Sequence, residues 1–575
     1  MKAVVVGGVA GGMSFAARAR RLSEDAEIVV LERDRYVSYA NCGLPYYLGG
    51  EIADRSSLLL HTPDSLAATL ALDVRTGHEV LAVDRAARTV RVRELDTGRE
   101  YDEPYDALVL ATGASPVVPP LPGVDLPQVR VLRTVGDVDA LSGLVDGGAG
   151  RAVVVGAGYV GLEAAEALHH RGLEVTVVEL ADQVLSPLDP EMARPVHEAL
   201  LTHGIRLRLG VGLAGVRPAE QGPVADGTAD SHPADDAGAA VVVDLADGSC
   251  VPADIVLLAM GVRPESTLAR EAGLTLGRNG AVLVDEHLRT SDPAIYAVGD
   301  AVQLVEAVTG APAVIPLAGP ANRAGRAAAD HLFGRSGGRT PVQGTAIVRV
   351  FDVIAAGTGR SEKALRAAGI PHHAVHLHPG HHAGYFPGAR SVHLKVLFAP
   401  DGRLLGAQAT GSEGVDKRID VLATAIRAGM TVHDLADLEL AYAPPFGSAK
   451  DPVNMAGFIG ENVLAGDLTL WYADELDDLP ADAVLLDTRS AREFAAGHLP
   501  GAVNIPHTQV RERLAELPRG VPVRVYCLSG FRSYLATRIL RQSGFDDVRN
   551  LSGGLSTLRL ALPDIALERE ENLVR

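Results

Sequence analysis

The segment VVVGGVAGG at residues 4–12 decides the fold of the first part of the chain. Three β-branched residues predict a buried strand, and the glycines predict a tight turn into a helix over 13–22. A second strand, over 27–31, leads to Glu32. Strand, turn, helix, strand and acid together predict a βαβ unit, in which the helix N-terminus holds a dinucleotide pyrophosphate and the acid a ribose hydroxyl. Val9 stands where the dinucleotide-binding fingerprint has its middle glycine, so this segment matches the fingerprint incompletely.

The same unit recurs in the segment AVVVGAGYVG at residues 152–161, which carries the complete glycine fingerprint. A helix is predicted over 162–171, and a strand over 174–178 leads to Glu179. Two complete units predict two dinucleotide-binding domains rather than two doubly wound domains that bind nothing. A carboxylate at Glu179 accepts a bond from a ribose 2′-hydroxyl and repels a 2′-phosphate, which favours NADH and leaves NADPH open.

The composition excludes several classes of protein. A chain of 575 residues predicts three or four domains. The formal charge of −19 argues against a nucleic-acid surface. We expect no signal peptide, and no apolar run approaches the roughly 20 residues that cross a bilayer. Three cysteines are too few for a disulfide framework, which predicts a cytoplasmic protein. We expect no metal site, and the paired histidines between 372 and 382 are interpreted as loop residues.

Two further segments complete the pattern, YDALVLATGA at 105–114 and TSDPAIYAVGD at 290–300. With them the chain resembles the pyridine nucleotide–disulfide oxidoreductase family. The resemblance implies an α/β protein with two Rossmann-like domains, the first for FAD and the second for NADH or NADPH, and an α+β dimerisation domain. The cofactor-binding residues it implies are Gly7, Gly12, Glu32, Arg33, Val80, Thr112, Gly113, Gly156, Gly158, Gly161, Glu179, Gly261 and Asp300.

One cysteine, Cys42, stands in the segment SYANCGLPYY at 38–47 without a second cysteine nearby. This segment, with HAGYFPG at 382–388 and YAPPFGSAKDP at 442–452, resembles the coenzyme A disulfide reductase branch. The resemblance makes Cys42 the redox-active residue and predicts a homodimer. It implies a coenzyme A site at Ser14, Arg18, Arg21, Ser38, Asn41, Asn322 and Arg323, with Tyr385, Tyr442 and Lys450 reaching the active site across the dimer.

The resemblance implies that coenzyme A supplies the second sulfur, through a mixed disulfide with Cys42. Electrons are expected to pass from NADH through FAD to this disulfide. Because the thiolate is the nucleophile, we expect the pKa of Cys42 to lie below that of a free cysteine. One departure is evident in the helix after Thr62-Pro63, since residues 64–70 lack the basic residue that relatives carry there.

The C-terminal segment carries a second sulfur site. In VRVYCLSGFRS at 523–533 a strand ends at Cys527, and a short loop opens a helix over 534–543. Loop amides and a helix N-terminus stabilise a thiolate or an anion there, and Arg532 adds positive charge. The region resembles a single-domain rhodanese of α/β fold, which implies a persulfide on Cys527. Related phosphatases use a longer loop, and a structural cysteine is the remaining alternative.

The predicted domains are two FAD-binding parts at 1–150 and 255–340, an NAD(P)H-binding domain at 151–254, a dimerisation domain at 341–466 and a rhodanese-like domain at 467–575. Residues between Arg217 and Gly238 are interpreted as a surface insertion, and Cys250 is given no role. The combined function we expect is NAD(P)H-driven reduction of coenzyme A persulfide or polysulfide. Reduction of coenzyme A disulfide, an NADH oxidase and a redox sensor remain the alternatives.

Overall fold

A computed structural model describes residues 1–219, 238–336, 338 and 341–570. The chain divides into two compact units. The first unit comprises residues 1–182 and 203–344, and the second comprises residues 183–202 and 345–575. Nearly all of the insertion expected between Arg217 and Gly238 lies outside the described residues.

A parallel sheet organises the first part of the first unit. Its strands lie in the order Ile295–Ala297, Ala107–Leu110, Lys2–Val6, Glu27–Glu32 and Asp73–Thr76. The central strands are almost wholly buried, as expected for a sheet covered on both faces. The helix Ala10–Leu22 follows the central strand and packs against the helix Ala318–Leu332.

A second parallel sheet repeats this arrangement. Its strands lie in the order Arg206–Leu209, Glu174–Glu179, Arg151–Val155, Ile255–Leu258 and Val129–Arg130. The helix Tyr159–His170 follows its central strand. Both expected Rossmann-like sheets are therefore confirmed. Each helix begins three residues before its predicted start, since the last glycines of each turn already belong to the first helical turn.

The first unit also contains smaller elements. Its antiparallel strands are His78–Asp84, Thr89–Glu94 and Glu100–Pro104 in one sheet, Leu213–Pro218, Val241–Leu245 and Cys250–Ala253 in another, and the pairs Ala114–Pro116 with Val262–Pro264 and Leu304–Val305 with Pro312–Ala313. Its other helices are Leu44–Leu48, Pro63–Leu70, Val135–Asp146 and Thr267–Glu271, with 3-10 turns at Asn41–Gly43, Arg55–Leu58 and Gly299–Ala301. Cys250 is the first residue of the strand Cys250–Ala253.

The second unit contains an antiparallel sheet and a parallel sheet. The antiparallel strands lie in the order Ala346–Val350, Val353–Gly359, Leu404–Gly411, Val392–Phe398 and His373–Leu377. The parallel strands lie in the order Leu470–Trp471, Val548–Leu551, Val523–Tyr526, Val484–Asp487 and Val503–Asn504. The helices are Pro190–Thr202, Glu362–Ala367, Val415–Ala428, Val432–Asp437, Pro452–Leu464, Ala491–Ala496, Phe531–Gln542 and Gly554–Ala561, with 3-10 turns at Ala473–Asp478 and Leu514–Glu516.

The segment 183–202 leaves the domain in which the sequence placed it and joins the second unit. Its Asp189 carboxylate accepts the backbone amides of Glu362 and Lys363 at 2.9 and 3.0 Å. The ammonium of Lys395 lies 2.9 Å from the same carboxylate. Lys395 and Asp189 are both almost fully buried, and a buried charge needs such partners. The domain bounds expected at 150, 254, 340 and 466 stay predictions.

Candidate functional sites

The first glycine turn brings helix and strand into close contact. Gly7 has φ of +108°, a conformation that side chains rarely adopt, and a Cβ there would overlap the carbonyl oxygen of Ala111. A Cβ at Gly12 would overlap the carbonyl oxygen of Gly7. The Glu32 carboxylate accepts the amides of Gly8 and Asp34 at 2.6 and 2.8 Å, and burial raises its pKa.

A cavity of about 920 Å³ opens beside this turn. The predicted residues that line it are Gly7, Glu32, Arg33, Asn41, Cys42, Val80, Thr112, Gly113 and Asp300. Burial raises the pKa of the Asp300 carboxyl group, and the Arg133 guanidinium opposes this shift. Glycines, a terminal acid and a cavity of this size fit a bound dinucleotide such as FAD.

The second glycine turn repeats the geometry of the first. Gly156 has φ of +109°, and a Cβ at Gly161 would overlap the carbonyl oxygen of Gly156. Gly158 is the residue before the helix begins. The Glu179 carboxylate accepts the amides of Ala157 and Ala181 at 2.7 and 2.9 Å. This turn therefore has the same bond pattern as the first and fits a second dinucleotide.

Gly261 lies three residues beyond the end of the strand Ile255–Leu258 and has φ of +87°. Its carbonyl oxygen accepts the amide of Val117 at 2.9 Å. It is not among the residues that line the large cavity. Gly261 therefore takes part in a backbone hydrogen bond with Val117, and its assignment to cofactor binding stays a prediction.

Cys42 lies in the 3-10 turn Asn41–Gly43, at the wall of the large cavity. The residue is exposed to the cavity, yet protein surrounds its sulfur closely enough that burial raises the pKa of the thiol. The carboxylates of Glu163 and Asp300 raise it further, and Arg133 opposes them. The groups that the chain itself supplies raise the pKa of Cys42, so the expectation of a low pKa is wrong for this chain without its ligands.

Three residues around Cys42 were missed by the sequence analysis. The Tyr46 hydroxyl donates to the Glu163 carboxylate at 3.0 Å, and Asn41 donates to the Arg133 carbonyl at 2.6 Å. Tyr46 was quoted in the cysteine segment but given no role. Arg133 and Glu163 lie far along the chain from Cys42, and no local pattern connects them to it.

The residues predicted for coenzyme A are only partly brought together. Ser14 donates to the Asn322 side chain at 2.9 Å, so these two predicted residues meet. Arg18 lies 2.6 Å from the Asp330 carboxylate, a partner the sequence analysis did not foresee. Arg21 and Arg323 are exposed. Ser38 has φ of +50° and donates its amide to the Gly8 carbonyl at 2.8 Å, next to the glycine turn.

The two predicted tyrosines form a pair in the second unit. The hydroxyl groups of Tyr385 and Tyr442 lie 2.9 Å apart, although the residues are distant along the chain. Both side chains are exposed, and the hydrogen bond to Tyr442 raises the pKa of Tyr385. Lys450 is also exposed, two residues before the helix Pro452–Leu464 begins. These residues belong to a different compact unit from Cys42.

Cys527 follows the strand Val523–Tyr526 and is fully buried. The Gly530 amide donates to its sulfur at 3.2 Å, and the Ser533 hydroxyl donates at 3.3 Å. Gly530 has φ of +93°, which turns the loop into the helix Phe531–Gln542. The loop therefore directs hydrogen-bond donors at the sulfur, as the sequence predicts. Ser533 was missed, although its place in the first turn of the helix was a usable signal.

The predicted Arg532 does not stand alone beside Cys527. Its guanidinium binds the Glu493 carboxylate through two hydrogen bonds of 2.7 and 2.8 Å. This bond lowers the pKa of Glu493 to about 2. Cys527 and Glu493 both act on Arg532 and raise its pKa. The positive charge at this site is therefore shared between a thiol and a carboxylate.

Acidic and histidine groups among the described residues come close enough to hold an ion in Glu51, Glu166 and His170, and in Asp189, Glu191 and Glu362. The second of these groups surrounds the buried ammonium of Lys395, which supplies the positive charge there. The expectation that the protein has no metal site stays a prediction. Among the described helices, none is both long and apolar enough to span a membrane.

Family models cover most of the chain. A model described as pyridine nucleotide-disulphide oxidoreductase matches residues 1–319. The dimerisation domain of the same class matches residues 345–452. A rhodanese-like domain matches residues 469–560.

Individual proteins match at high coverage. A coenzyme A disulfide reductase of Staphylococcus haemolyticus is 35% identical over 80% of this chain and 98% of its own length. An NADH oxidase of Methanocaldococcus jannaschii is 34% identical over 79% of this chain and 98% of its own. The solved structure of reduced Bacillus anthracis CoADR-RHD matches with a TM-score of 0.93 and 42% identity, over 99% of each chain. An NAD-dependent persulfide reductase from A. fulgidus matches with a TM-score of 0.88 and 37% identity, over 97% and 100%.

Proposed function

Because the chain belongs to the pyridine nucleotide-disulphide oxidoreductase family, we propose that it uses NADH to reduce a sulfur–sulfur bond at Cys42. The proposed substrate is coenzyme A persulfide or polysulfide, and the products are sulfide and coenzyme A. The observation that carries the proposal is the position of Cys42, the cysteine among the residues that line the large cavity. With no protein thiol beside it in that lining, the substrate supplies the second sulfur.

The reaction divides into two balanced steps. The Cys42 thiolate attacks the inner sulfur of coenzyme A persulfide, which forms a mixed disulfide and releases HS⁻. Two electrons from NADH then cleave the mixed disulfide, and a proton completes the coenzyme A thiol. Overall, one coenzyme A persulfide, one NADH and one proton are converted to coenzyme A, hydrogen sulfide and NAD⁺.

A flavin bound in the large cavity supplies two-electron transfer between nicotinamide and sulfur. Gly7, Glu32 and Asp300 line that cavity and would hold the pyrophosphate, a ribose and the ribityl chain. Glu179 at the second turn favours NADH over NADPH. Cys42 must lose a proton before it attacks, and Arg133 is the cationic group of this chain that lowers its pKa.

The C-terminal domain is proposed to carry sulfane sulfur on Cys527. The Gly530 amide and the Ser533 hydroxyl point at this sulfur and would stabilise negative charge on a bound persulfide. Its role in the combined reaction is to load sulfur from a donor or to pass it to the reductase. Both sulfur centres on one chain favour a persulfide over a simple disulfide as substrate.

The remaining assignments belong to the same proposal. Ser14 and Asn322, two residues of the predicted coenzyme A site, are hydrogen-bonded to each other and are proposed to contact that ligand. The hydrogen-bonded pair Tyr385 and Tyr442, together with Lys450, is proposed to reach the active site across a homodimer. The dimerisation domain matched at residues 345–452 supports the dimer. A cytoplasmic location is proposed from the scarcity of cysteine.

Mass spectrometry of the unreduced protein tests the proposal. We expect an adduct of coenzyme A mass on Cys42, which a reducing agent removes. The peptide that contains Cys250 is the internal control and is expected to carry none. A Cys42 peptide that stays unmodified after incubation with coenzyme A disulfide or persulfide contradicts the mechanism.

An NADH oxidase is the second candidate, because one relative of high coverage bears that name. Oxygen uptake distinguishes the two functions. The proposed reductase consumes NADH slowly in air and rapidly when coenzyme A persulfide is added. Rapid NADH-dependent oxygen uptake without any thiol substrate would favour the oxidase.

A further inference from the structure

The loop of Cys527 rests on the segment 550–557, which follows it in the same domain. The amide of Leu555 donates to the Cys527 carbonyl oxygen at 2.9 Å, and the amide of Ser556 donates to the Leu528 carbonyl at 2.9 Å. The Asn550 side chain donates to the Gly530 carbonyl at 3.1 Å. These bonds orient the loop peptides, and therefore the amide that faces the Cys527 sulfur.

The same segment contacts two histidines, His376 in the strand His373–Leu377 of the antiparallel sheet and His378 directly after that strand. The Nδ1 atom of His376 lies 2.8 Å from the Ser552 hydroxyl, and the His376 amide donates to that hydroxyl at 3.2 Å. The Nε2 atom of His378 lies 2.7 Å from the Thr557 hydroxyl. We name His376, His378, Ser552 and Thr557 the histidine bracket.

The bracket is packed tightly against the backbone between its two hydroxyl residues. His376, Ser552 and Thr557 are buried. Gly553 has φ of +68°, and a Cβ there would lie 2.8 Å from the Cβ of His376. A Cβ at the next residue, Gly554, would lie 2.6 Å from the Cys527 carbonyl oxygen. Gly553 therefore packs against His376, and the next residue, Gly554, packs against Cys527.

Each histidine has a second partner behind it. The Nε2 atom of His376 lies 3.2 Å from the Glu191 carboxylate, which also binds Lys395 at 2.5 Å. The Nδ1 atom of His378 lies 2.5 Å from Nδ1 of His393. Burial lowers the pKa of His378 to about 3, and the neighbouring His393 and His376 act in the same direction.

A neutral imidazole has one donor nitrogen and one acceptor nitrogen. At neutral pH His378 can therefore satisfy His393 on one side and Thr557 on the other, in a fixed orientation. The histidine bracket thus holds the segment 550–557, on which the Cys527 loop rests, while His378 stays uncharged.

We propose that His376 and His378 are positioning residues for sulfur transfer at Cys527, so that the antiparallel sheet completes the rhodanese-like site. This inference rests on the proposed function of Cys527. Neither histidine contacts the sulfur. Their effect passes through Ser552, Thr557 and the glycines to the loop amides, whose alignment sets how well they stabilise charge on sulfur.

The test measures sulfur transfer from thiosulfate to cyanide by the full-length protein. The substitutions His376→Ala and His378→Ala are each expected to lower kcat about tenfold, because loop amides lose their alignment, while KM for thiosulfate changes less than about twofold. His378→Gln, whose amide can still reach Thr557, is expected to recover most of the lost kcat. An unchanged kcat in both alanine variants would overturn the inference.

A double-mutant cycle separates a bond from a general loss of structure. Thr557→Val should lower kcat like His378→Ala, and the double variant should be no worse than either single variant. Additive losses, or no recovery with glutamine, would overturn the inference. His373→Ala on the same strand, whose ring packs near Phe398, is the matched control and should keep wild-type kcat.

NADH-dependent persulfide reduction at Cys42 reports on the fold of every variant and should stay within about twofold of wild type. A separate result identifies failure of the proposed function. If wild type and Cys527→Ser transfer sulfur equally, the assignment of Cys527 is wrong, and the inference falls with it.

Discussion

The two sulfur sites of this protein are built in opposite ways. Cys527 receives hydrogen bonds from Gly530 and Ser533, both within its own loop and the following helical turn. Cys42 instead lies beside Glu163, Asp300 and Arg133, which come from distant parts of the chain. Around Cys527 the chain supplies donors, whereas around Cys42 its carboxylates and burial disfavour the thiolate.

This difference shows which site is complete in the chain alone. The Cys527 loop has its anion-binding donors already in place, as a persulfide carrier requires. The Cys42 site has a raised thiol pKa and a large open cavity, so its reactivity depends on groups that bind there. The proposed sulfur carrier therefore has its hydrogen-bond donors in place within this chain, whereas the proposed redox site depends on the ligands that bind there.

The largest effects are expected when the sulfur of each cysteine is removed in turn. Cys42→Ser is expected to lower NADH-dependent coenzyme A persulfide reduction by at least about 10³-fold, because a hydroxyl cannot form the mixed disulfide. Cys527→Ser is expected to abolish sulfur transfer from thiosulfate to cyanide. Steady-state kinetics of both reactions in both variants measures the effect.

Each serine variant is the matched control of the other, since each should keep the reaction of the remaining cysteine within about threefold. Loss of both reactions in either variant would contradict two separately built sites.

A smaller effect concerns the charge beside Cys42. Glu163→Gln removes a carboxylate that raises the pKa of the thiol, so the pKa should fall. The titration midpoint of the thiol should therefore move towards acid. At neutral pH the thiolate fraction, and with it the alkylation rate, should increase. Iodoacetamide labelling of Cys42 across pH, followed by mass spectrometry, measures the midpoint.

Tyr46→Phe is the matched control for this shift. It removes the hydroxyl that donates to Glu163 at 3.0 Å but keeps the carboxylate. Its midpoint should not fall below that of wild type. A lower midpoint in Tyr46→Phe, or an unchanged midpoint in Glu163→Gln, would show that the charge of Glu163 does not set the pKa of Cys42.

The smallest expected effect concerns the ion pair beside Cys527. Glu493→Gln removes the carboxylate that binds Arg532 and leaves the guanidinium free to attract an anionic donor. KM for thiosulfate should fall about two- to fivefold, a modest change because Glu493 is partly exposed and screened. Steady-state kinetics at low salt measures it.

Glu516→Gln, which breaks a comparable ion pair with Arg513 in the same domain, is the control and should leave KM unchanged. An unchanged or raised KM in Glu493→Gln would mean that Arg532 does not contribute to binding the donor.

The sequence was most informative where a function is local. The two glycine turns, their terminal acids and the Cys527 loop were all predicted from short segments, and the structure shows the expected strand–turn–helix order at each. These sites depend on backbone conformation within a few residues, which glycine spacing and apolar runs specify directly. The three helices begin three residues earlier than predicted, and two of them end one residue earlier.

The sequence was least informative where distant residues meet. No pattern connects Glu163 to Cys42 or Asp330 to Arg18, yet each pair affects the pKa or the position of a predicted site residue. No pattern connects His378 to Thr557 either. Burial, followed by the carboxylates of Glu163 and Asp300, raises the pKa of Cys42, against the expected direction. Its neighbours along the chain carry no charge, and the charges that act on it arrive through folding.

By itself the sequence determined the two glycine turns and the loop after Cys527, and it indicated Cys42 as the candidate redox residue, because each is specified by residues close together in the chain. The tertiary structure alone decided the electrostatic environment of Cys42, the pairing of Arg532 with Glu493, and the contacts of His376 and His378 with Ser552 and Thr557. Electrostatics and packing depend on distance in space, which a linear pattern does not record.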